Sequence, residues 1–276
     1  MTTVAPARPA ATVIVLRPAA ASPFEVLLVR RNDQVAFMAG AYVFPGGRVD
    51  DTDDAPDLDD RTAIRRCLDL SPADEARYRI AAIRELLEEA GVLLARSAGG
   101  FADQETTTAV RASLPARSSL VAHLARHGLT AALDAVMPFA HWVTPEIESR
   151  RYDTRFLMAC VPESQEASHD AGETTALEWL SPSASLARAE RGEIMLPPPT
   201  WTTLHQLSRL ASIDAAWQWA STTPMIRIQP GFLRDGSVST LTLPGDPLFP
   251  PPPGCEVFEV TRFQLSEGGR WEPVRV

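Results

Sequence analysis

Residues 84–92 read Arg84-Glu85-Leu86-Leu87-Glu88-Glu89-Ala90-Gly91-Val92. Glu85 and Glu88 are three apart and Glu85 and Glu89 four apart, so on a helix the three carboxylates share one face. Ile80, Ile83, Leu87 and Ala90 recur at helical spacing and form one apolar stripe. Gly91 is placed to stop the helix. Like charges at i and i+4 destabilise a helix by a few tenths of a kcal/mol, so something must favour them. Arg84, four residues before Glu88, offsets part of the repulsion. A divalent cation, which prefers clustered carboxylate oxygens, would offset far more. Taken alone, the cluster fits an exposed acidic helix face as well as a metal site.

Moving towards the N-terminus, residues 1–10 are rich in Pro and Ala and read as loose. Residues 12–16 (TVIVL) and 25–30 (EVLLVR) read as two strands of a hairpin. A short strand at 41–44 ends in Pro45-Gly46-Gly47, a strong breaker. The Asp-rich run at 50–60 reads as a solvated loop and lacks the Gly and terminal Glu of a calcium loop. A helical stretch covers 60–70, and Ser71-Pro72 signals a fresh helix start. Towards the C-terminus, an Ala-rich helical interlude covers 100–140. Strands are expected at 141–144, 154–161 and 176–180, and helices at 181–192 and 200–220. The Pro/Gly-rich tail from 224 reads as a small β appendage.

The nine residues at 84–92 resemble the second half of the Nudix hydrolase signature, G-x5-E-x7-R-E-U-x-E-E-x-G-U with U a bulky aliphatic. The first half is altered. Gly47 opens it, and Asp53 stands where the family has Glu. From Asp54 to Ile83 the chain runs 30 residues where the pattern has 7. A split box of this kind resembles the branch of peroxisomal acyl-coenzyme A diphosphatases and their bacterial relatives, as does the later order His141-Trp142-Val143-Thr144-Pro145, Arg151-Tyr152-Asp153-Thr154-Arg155-Phe156, Glu173 to Trp179 and the prolines at 197–199. The resemblance implies an α/β/α sandwich with a mixed sheet, a domain over 10–210, a helical insertion at about 54–79 and a β-rich extension over 221–276. It implies Mg²⁺ or Mn²⁺ as cofactor, held by the Gly47 carbonyl, Glu85, Glu88, Glu89 and a later-loop Glu173. Arg84 would orient a box glutamate, and Glu85 or Glu173 would accept the water proton.

The implied activity is hydrolysis of a diphosphate bond in a nucleoside diphosphate derivative. Coenzyme A or acyl-coenzyme A leads. ADP-ribose, a dinucleotide, or a catalytically weak nucleotide-binding module are the alternatives. Leu27-Leu28, Arg30 or Arg31, Gly40 and Phe44-Pro45-Gly46-Gly47 fit the coenzyme A signature of related diphosphatases, whereas Ala36 and Met38 do not. Arg30, Arg31 and Arg151, with Arg150, are candidates to grip substrate phosphates.

The whole chain supports a small-molecule partner. Its 276 residues carry 26 basic and 35 acidic side chains, a net charge of −9, and every basic residue is Arg. An acidic surface repels bare phosphate backbone, which argues against nucleic acid. No apolar run reaches the ~18–20 residues of a membrane helix. Three widely spaced cysteines, Cys67, Cys160 and Cys255, suggest a reducing compartment, read here as the cytoplasm. Cys160 is expected to be buried and inert, His123 and His127 to be solvated, and Trp201, Trp217 and Trp219 to belong to a core or interface. The composition gives no oligomeric state.

Overall fold

The computed structural model describes residues 4–32, 39–54, 69–168, 174–251 and 258–275. Strand β1 (Ala7–Arg17) lies at the centre of the main sheet. Its alternation decides the layering. Ala11, Val13 and Val15 face one core, and Ile14 and Leu16 face the other, as a strand buried on both faces requires. The strand starts earlier than expected. Ala7 to Ala10 pair in parallel with β9 (Arg151–Cys160), so the Pro/Ala-rich start is part of the sheet.

The hairpin forms between β1 and β2 (Glu25–Arg31), and β3 (Tyr42–Val43) adds to β2. The next strand, β4 (Gly46–Arg48), returns along the other half of β1, placing Gly47 opposite Ala11. Helix α1 (Pro72–Ala90) follows. Ser71 caps it through a hydrogen bond from the Asp74 N–H, and Pro72 opens it. Gly91 closes it in the left-handed region at φ 62°, where a side chain would be strained. Ile80, Ile83, Leu87 and Ala90 are fully buried against the first core.

Strands β5 (Ala95–Ser97), β6 (Gly100–Phe101) and β7 (Thr130–Ala131) make a small sheet. It frames helices α2 (Gln104–Ser113) and α3 (Leu120–Arg126), so the Ala-rich interlude is helical only in part. Strand β8 spans Met137–Val143, four residues earlier than the sequence suggests, and is buried throughout. Strand β10 (Thr174–Leu180) pairs with β2 at the sheet's edge. Helix α4 (Pro182–Glu190) precedes α5 (Pro198–Leu207) and α6 (Ile213–Thr222). These last two replace the single helix expected over 200–220. The Ser212 side chain accepts a hydrogen bond from Ala215 N–H and starts a second helix.

The first core lies between the sheet and α1 to α3. The second lies between the sheet and α5, α6 and the C-terminal residues. Strand β11 (Arg227–Ile228) joins the main sheet beside β8. A four-stranded antiparallel sheet follows: β12 (Gly231–Asp235), β13 (Val238–Thr242), β14 (Arg262–Leu265) and β15 (Trp271–Val274). Phe263 and Leu243 are fully buried in the second core, with Trp201, Trp217 and Trp219 packed against it. No helix among the described residues is long and apolar enough to cross a membrane.

Candidate active site

Arg84, Glu85, Glu88 and Glu89 project from α1 towards β4 and line a cavity of about 520 Å³ with Gly46, Gly47, Arg48, Asp50, Thr12, Arg31, Tyr152 and Thr154. The acidic face is therefore enclosed in part: Arg84 is 6% exposed and Glu89 8%, while the Glu88 side chain stays 43% exposed. Arg84 is the hub. Its Nε and Nη2 donate to the two Asp53 oxygens at 2.8 and 2.9 Å. Nη1 donates to Glu85 at 2.8 Å and Glu88 at 3.1 Å, and Nη2 to the Arg48 carbonyl at 2.9 Å. Asp53 is fully buried and also accepts from the Asp50 N–H. The Asp that departs from the family pattern thus takes the bidentate place on Arg84, which ties together the two halves of the split box across 31 residues. The sequence marked this position as a deviation, and only the fold shows what it does.

Glycine is needed at two positions here. A Cβ on Gly47 would overlap the Glu85 carboxylate, and one on Gly46 would overlap the Ala11 carbonyl of β1. The bare backbone lets strand and helix approach, and the Gly46 N–H donates to Glu89 at 3.0 Å.

The electrostatics follow from this crowding. Burial pushes Glu85 up to about 7, and Arg84 offsets only part of that rise. Glu88 is raised for the same reason. Arg84 is held above its ordinary value: burial opposes its charge, but Asp53 and Glu85 outweigh that. Among the described residues no three carboxylate, imidazole or thiol groups converge closely enough to enclose a metal as they stand. Glu85 and Glu88 are turned onto Arg84, and Glu89 onto Gly46. The donor set still fits a hard divalent cation. It is all oxygen, it is partly buried, and burial raises two of its carboxylates, Glu85 and Glu88.

The other candidates divide. Arg31 lines the cavity, and its Nε is buried with no hydrogen-bond partner. Its neighbour Arg30 points the other way, as strand alternation demands, and donates to Thr175 Oγ1 on β10. Arg151 is buried, donating to the Thr144 and Ala5 carbonyls. With Arg8 and Arg150 it lines a separate cleft of about 300 Å³ that shares Tyr152 with the carboxylate cavity. Glu173, Ala36, Met38, Cys67 and Cys255 lie outside the described residues, as does most of the 54–79 insertion.

Two expectations are corrected. His123 is a core residue, 3% exposed, with Nε2 3.1 Å from the Val110 carbonyl, while His127 is exposed as expected. Cys160 is exposed at the end of β9 rather than buried, with partial desolvation and the Asp214 charge raising its thiol. Thr12, Tyr152 and Thr154 were not singled out as site residues. Their signal was strand alternation, since Tyr152 and Thr154 share a face with Phe156 of the second core.

The NUDT19 Nudix domain model matches residues 59–210. The chain is 28% identical over 280 residues to the acyl-coenzyme A diphosphatase NUDT19 of Xenopus laevis, covering 84% of this chain and 73% of that protein. It is 29% identical over 279 residues to the diphosphatase of that name from Homo sapiens, covering 84% and 74%. Among solved structures it is similar to a NUDIX hydrolase from Alicyclobacillus acidocaldarius, with a TM-score of 0.63 and 27% identity over 80% of this chain and 100% of the other.

Proposed function

This chain belongs to the Nudix hydrolases through its NUDT19 Nudix domain, and from that premise we propose that it cleaves the diphosphate bond of coenzyme A or an acyl-coenzyme A, giving 3′,5′-ADP and a phosphopantetheine product. One observation carries the reading: four charged side chains of α1 line a cavity whose β4 wall is Gly46, Gly47 and Arg48, with no room for a Cβ at either glycine. A binder that never hydrolyses has no need for so much mutually repelling charge. Glu85, Glu88, Glu89 and the Gly47 carbonyl would hold Mg²⁺ or Mn²⁺, with Glu173 as a further candidate. The bound cation would screen the diphosphate oxygens and lower the pKa of an attacking water.

The chain's own groups do the positioning. Arg84, fixed by Asp53, holds Glu85 in place, and Glu85 or Glu173 would accept the water proton. Arg31 offers a guanidinium to a phosphate in the same cavity. Arg30, bonded to Thr175 of the edge strand β10, is a second candidate. The cleft of Arg8, Arg150 and Arg151 supports the coenzyme A reading, because a 3′-phosphate beyond the diphosphate needs a cationic partner of its own. The 54–79 insertion belongs to the proposal as a helical flap beside the site. Cytoplasmic residence does too, on the small number and wide spacing of the cysteines.

The test is a panel of coenzyme A, its 3′-dephospho form, ADP-ribose and a dinucleotide, each with Mg²⁺ or Mn²⁺, with products identified by mass. Coenzyme A should give 3′,5′-ADP, and excess chelator should stop turnover. Use of the dephospho form or ADP-ribose at more than ~10-fold higher kcat/KM, about 1.4 kcal/mol in transition-state binding, would replace coenzyme A with a broader substrate class.

A further inference from the structure

Beside the carboxylate cavity lies a second one of about 210 Å³ with a different character. The two share Thr12, Arg31, Gly46, Tyr152 and Thr154, so any group bonded to a phosphate at Arg31 stands at its mouth. Its walls are mostly apolar, with Thr144, Glu148 and Thr200 among them, and come from distant parts of the chain: Val43 and Phe44, Trp142, the prolines at 197–199, and Pro230, Leu241 and Trp271 of the C-terminal residues. Tyr152 and Trp271 are half-buried, and the other three rings are not open platforms. Phe44, Trp142 and Phe156 are 2%, 4% and 6% exposed. Phe44 meets Phe156 edge-on, and Trp142 is stacked on Phe258. They offer the slot slivers of ring rather than a free face, which poorly suits a nucleobase that binds by stacking. A saturated chain needs only apolar contact.

We propose that this slot takes a saturated apolar arm on the non-nucleoside side of the diphosphate, and that the C-terminal sheet thereby helps set substrate choice. The proposal rests on the diphosphate lying in the carboxylate cavity. In coenzyme A the first carbons beyond the phosphate are of this kind and carry two methyl groups, before the arm turns polar at a hydroxyl and two amides. ADP-ribose has a polar sugar there instead.

The experiment measures binding of n-alkyl phosphates, from methyl to hexyl, by calorimetry in Mg²⁺, alongside ribose 5-phosphate and AMP. Coenzyme A hydrolysis is assayed in parallel, so the substrate reading is scored separately. Wild type should bind each longer phosphate more tightly, by up to about fourfold per methylene buried, and should disfavour ribose 5-phosphate. Val43→Trp, which fills the slot, and Trp271→Ala, which removes a wall at the sheet's edge, should each flatten the series and leave AMP within twofold. Thermal melting confirms that both variants fold. A flat series in wild type, a slope that survives both substitutions, or loss of AMP binding in step with the alkyl series would each overturn the proposal. Failure of every phosphate to bind wild type would remove the site reading, and the slot with it.

Discussion

At Glu85 the demands of folding and of chemistry oppose each other. A carboxylate raised to about 7 from an ordinary 4.5 binds its proton more tightly in the folded chain than in the unfolded one. Its contribution to stability is therefore full below pH 4.5 and lost as pH rises through 7. In chelator at pH 7.5, Glu85→Gln should stabilise the protein by about 1–3 kcal/mol, read as a higher Tm, while lowering kcat by ~10²-fold or more. A Tm that falls would refute the burial argument. Asp53→Asn should cost about 2–4 kcal/mol, because it breaks a buried bidentate pair while Arg84 keeps its contacts to Glu85, Glu88 and the Arg48 carbonyl. Wild-type urea midpoints for that variant would count against Arg84 as the hub. The carboxylate helix was legible in the sequence because its spacing is local. Asp53 was not, since its partner lies 31 residues on and only the closed fold brings them together.

Among the elements, β4 and α1 approach through Gly47. Gly47→Ala should leave the melting temperature near wild type, since Glu85 can swing towards solvent. It should lower kcat ~10²-fold, the scale of a misplaced catalytic group; unchanged kcat would show that the contact is loose. The insertion is anchored at its far end by Asp69, which accepts 2.8 and 2.5 Å bonds from the buried Arg155 of β9. Its last turns, from Pro72 onward, are already α1. If residues 54–79 cover the site, shortening the segment before Asp69 should change KM and substrate profile more than metal affinity, and an unaltered profile would argue that it lies elsewhere. Element types were readable wherever the period was clear, as in β1, β2 and α1. The boundaries that shifted had competing signals. Apolar periodicity runs on across 208–212, hiding the cap at Ser212, and the Pro/Ala start gave no hint of its partner β9, because pairing between distant strands leaves no local trace.

On the scale of the whole molecule, the C-terminal residues complete a core rather than decorate it. Leu241, Leu243, Val260 and Phe263 are all buried in the second core. At roughly 1.5–3 kcal/mol each, their loss rivals the 5–15 kcal/mol that holds a typical domain together. Truncation after residue 225 should abolish the cooperative melting transition; a soluble truncated chain with wild-type Tm would make the last strands dispensable. The same region has an acid limit. Burial raises the Asp246 carboxyl, but the Arg262 fork at 2.9 Å and the Leu248 N–H hold it below its ordinary 3.8. Its stabilisation is present above that pH and lost as pH falls through the lower folded value. Asp246→Asn should therefore lower Tm at pH 7 and change it less at pH 2.5. Nothing in the sequence separated an appendage from a core wall, since short alternating strands look alike in both.

Apart from the contacts of His141 and His205, every cation in the ion pairs among the described residues, from Arg17–Glu25 to Arg262–Asp246, is a guanidinium, in a chain without a single lysine. Guanidinium keeps its proton beyond pH 12, so the electrostatic framework has no alkaline edge where most proteins have one. What remains to titrate among side chains between pH 8 and 12 is three cysteines and three tyrosines. Burial has pushed Tyr78 up to about 12 and raised Tyr42. The molecule should melt at nearly one temperature from pH 8 to 10, and acylating reagents aimed at side-chain amines should find nothing along its surface to modify.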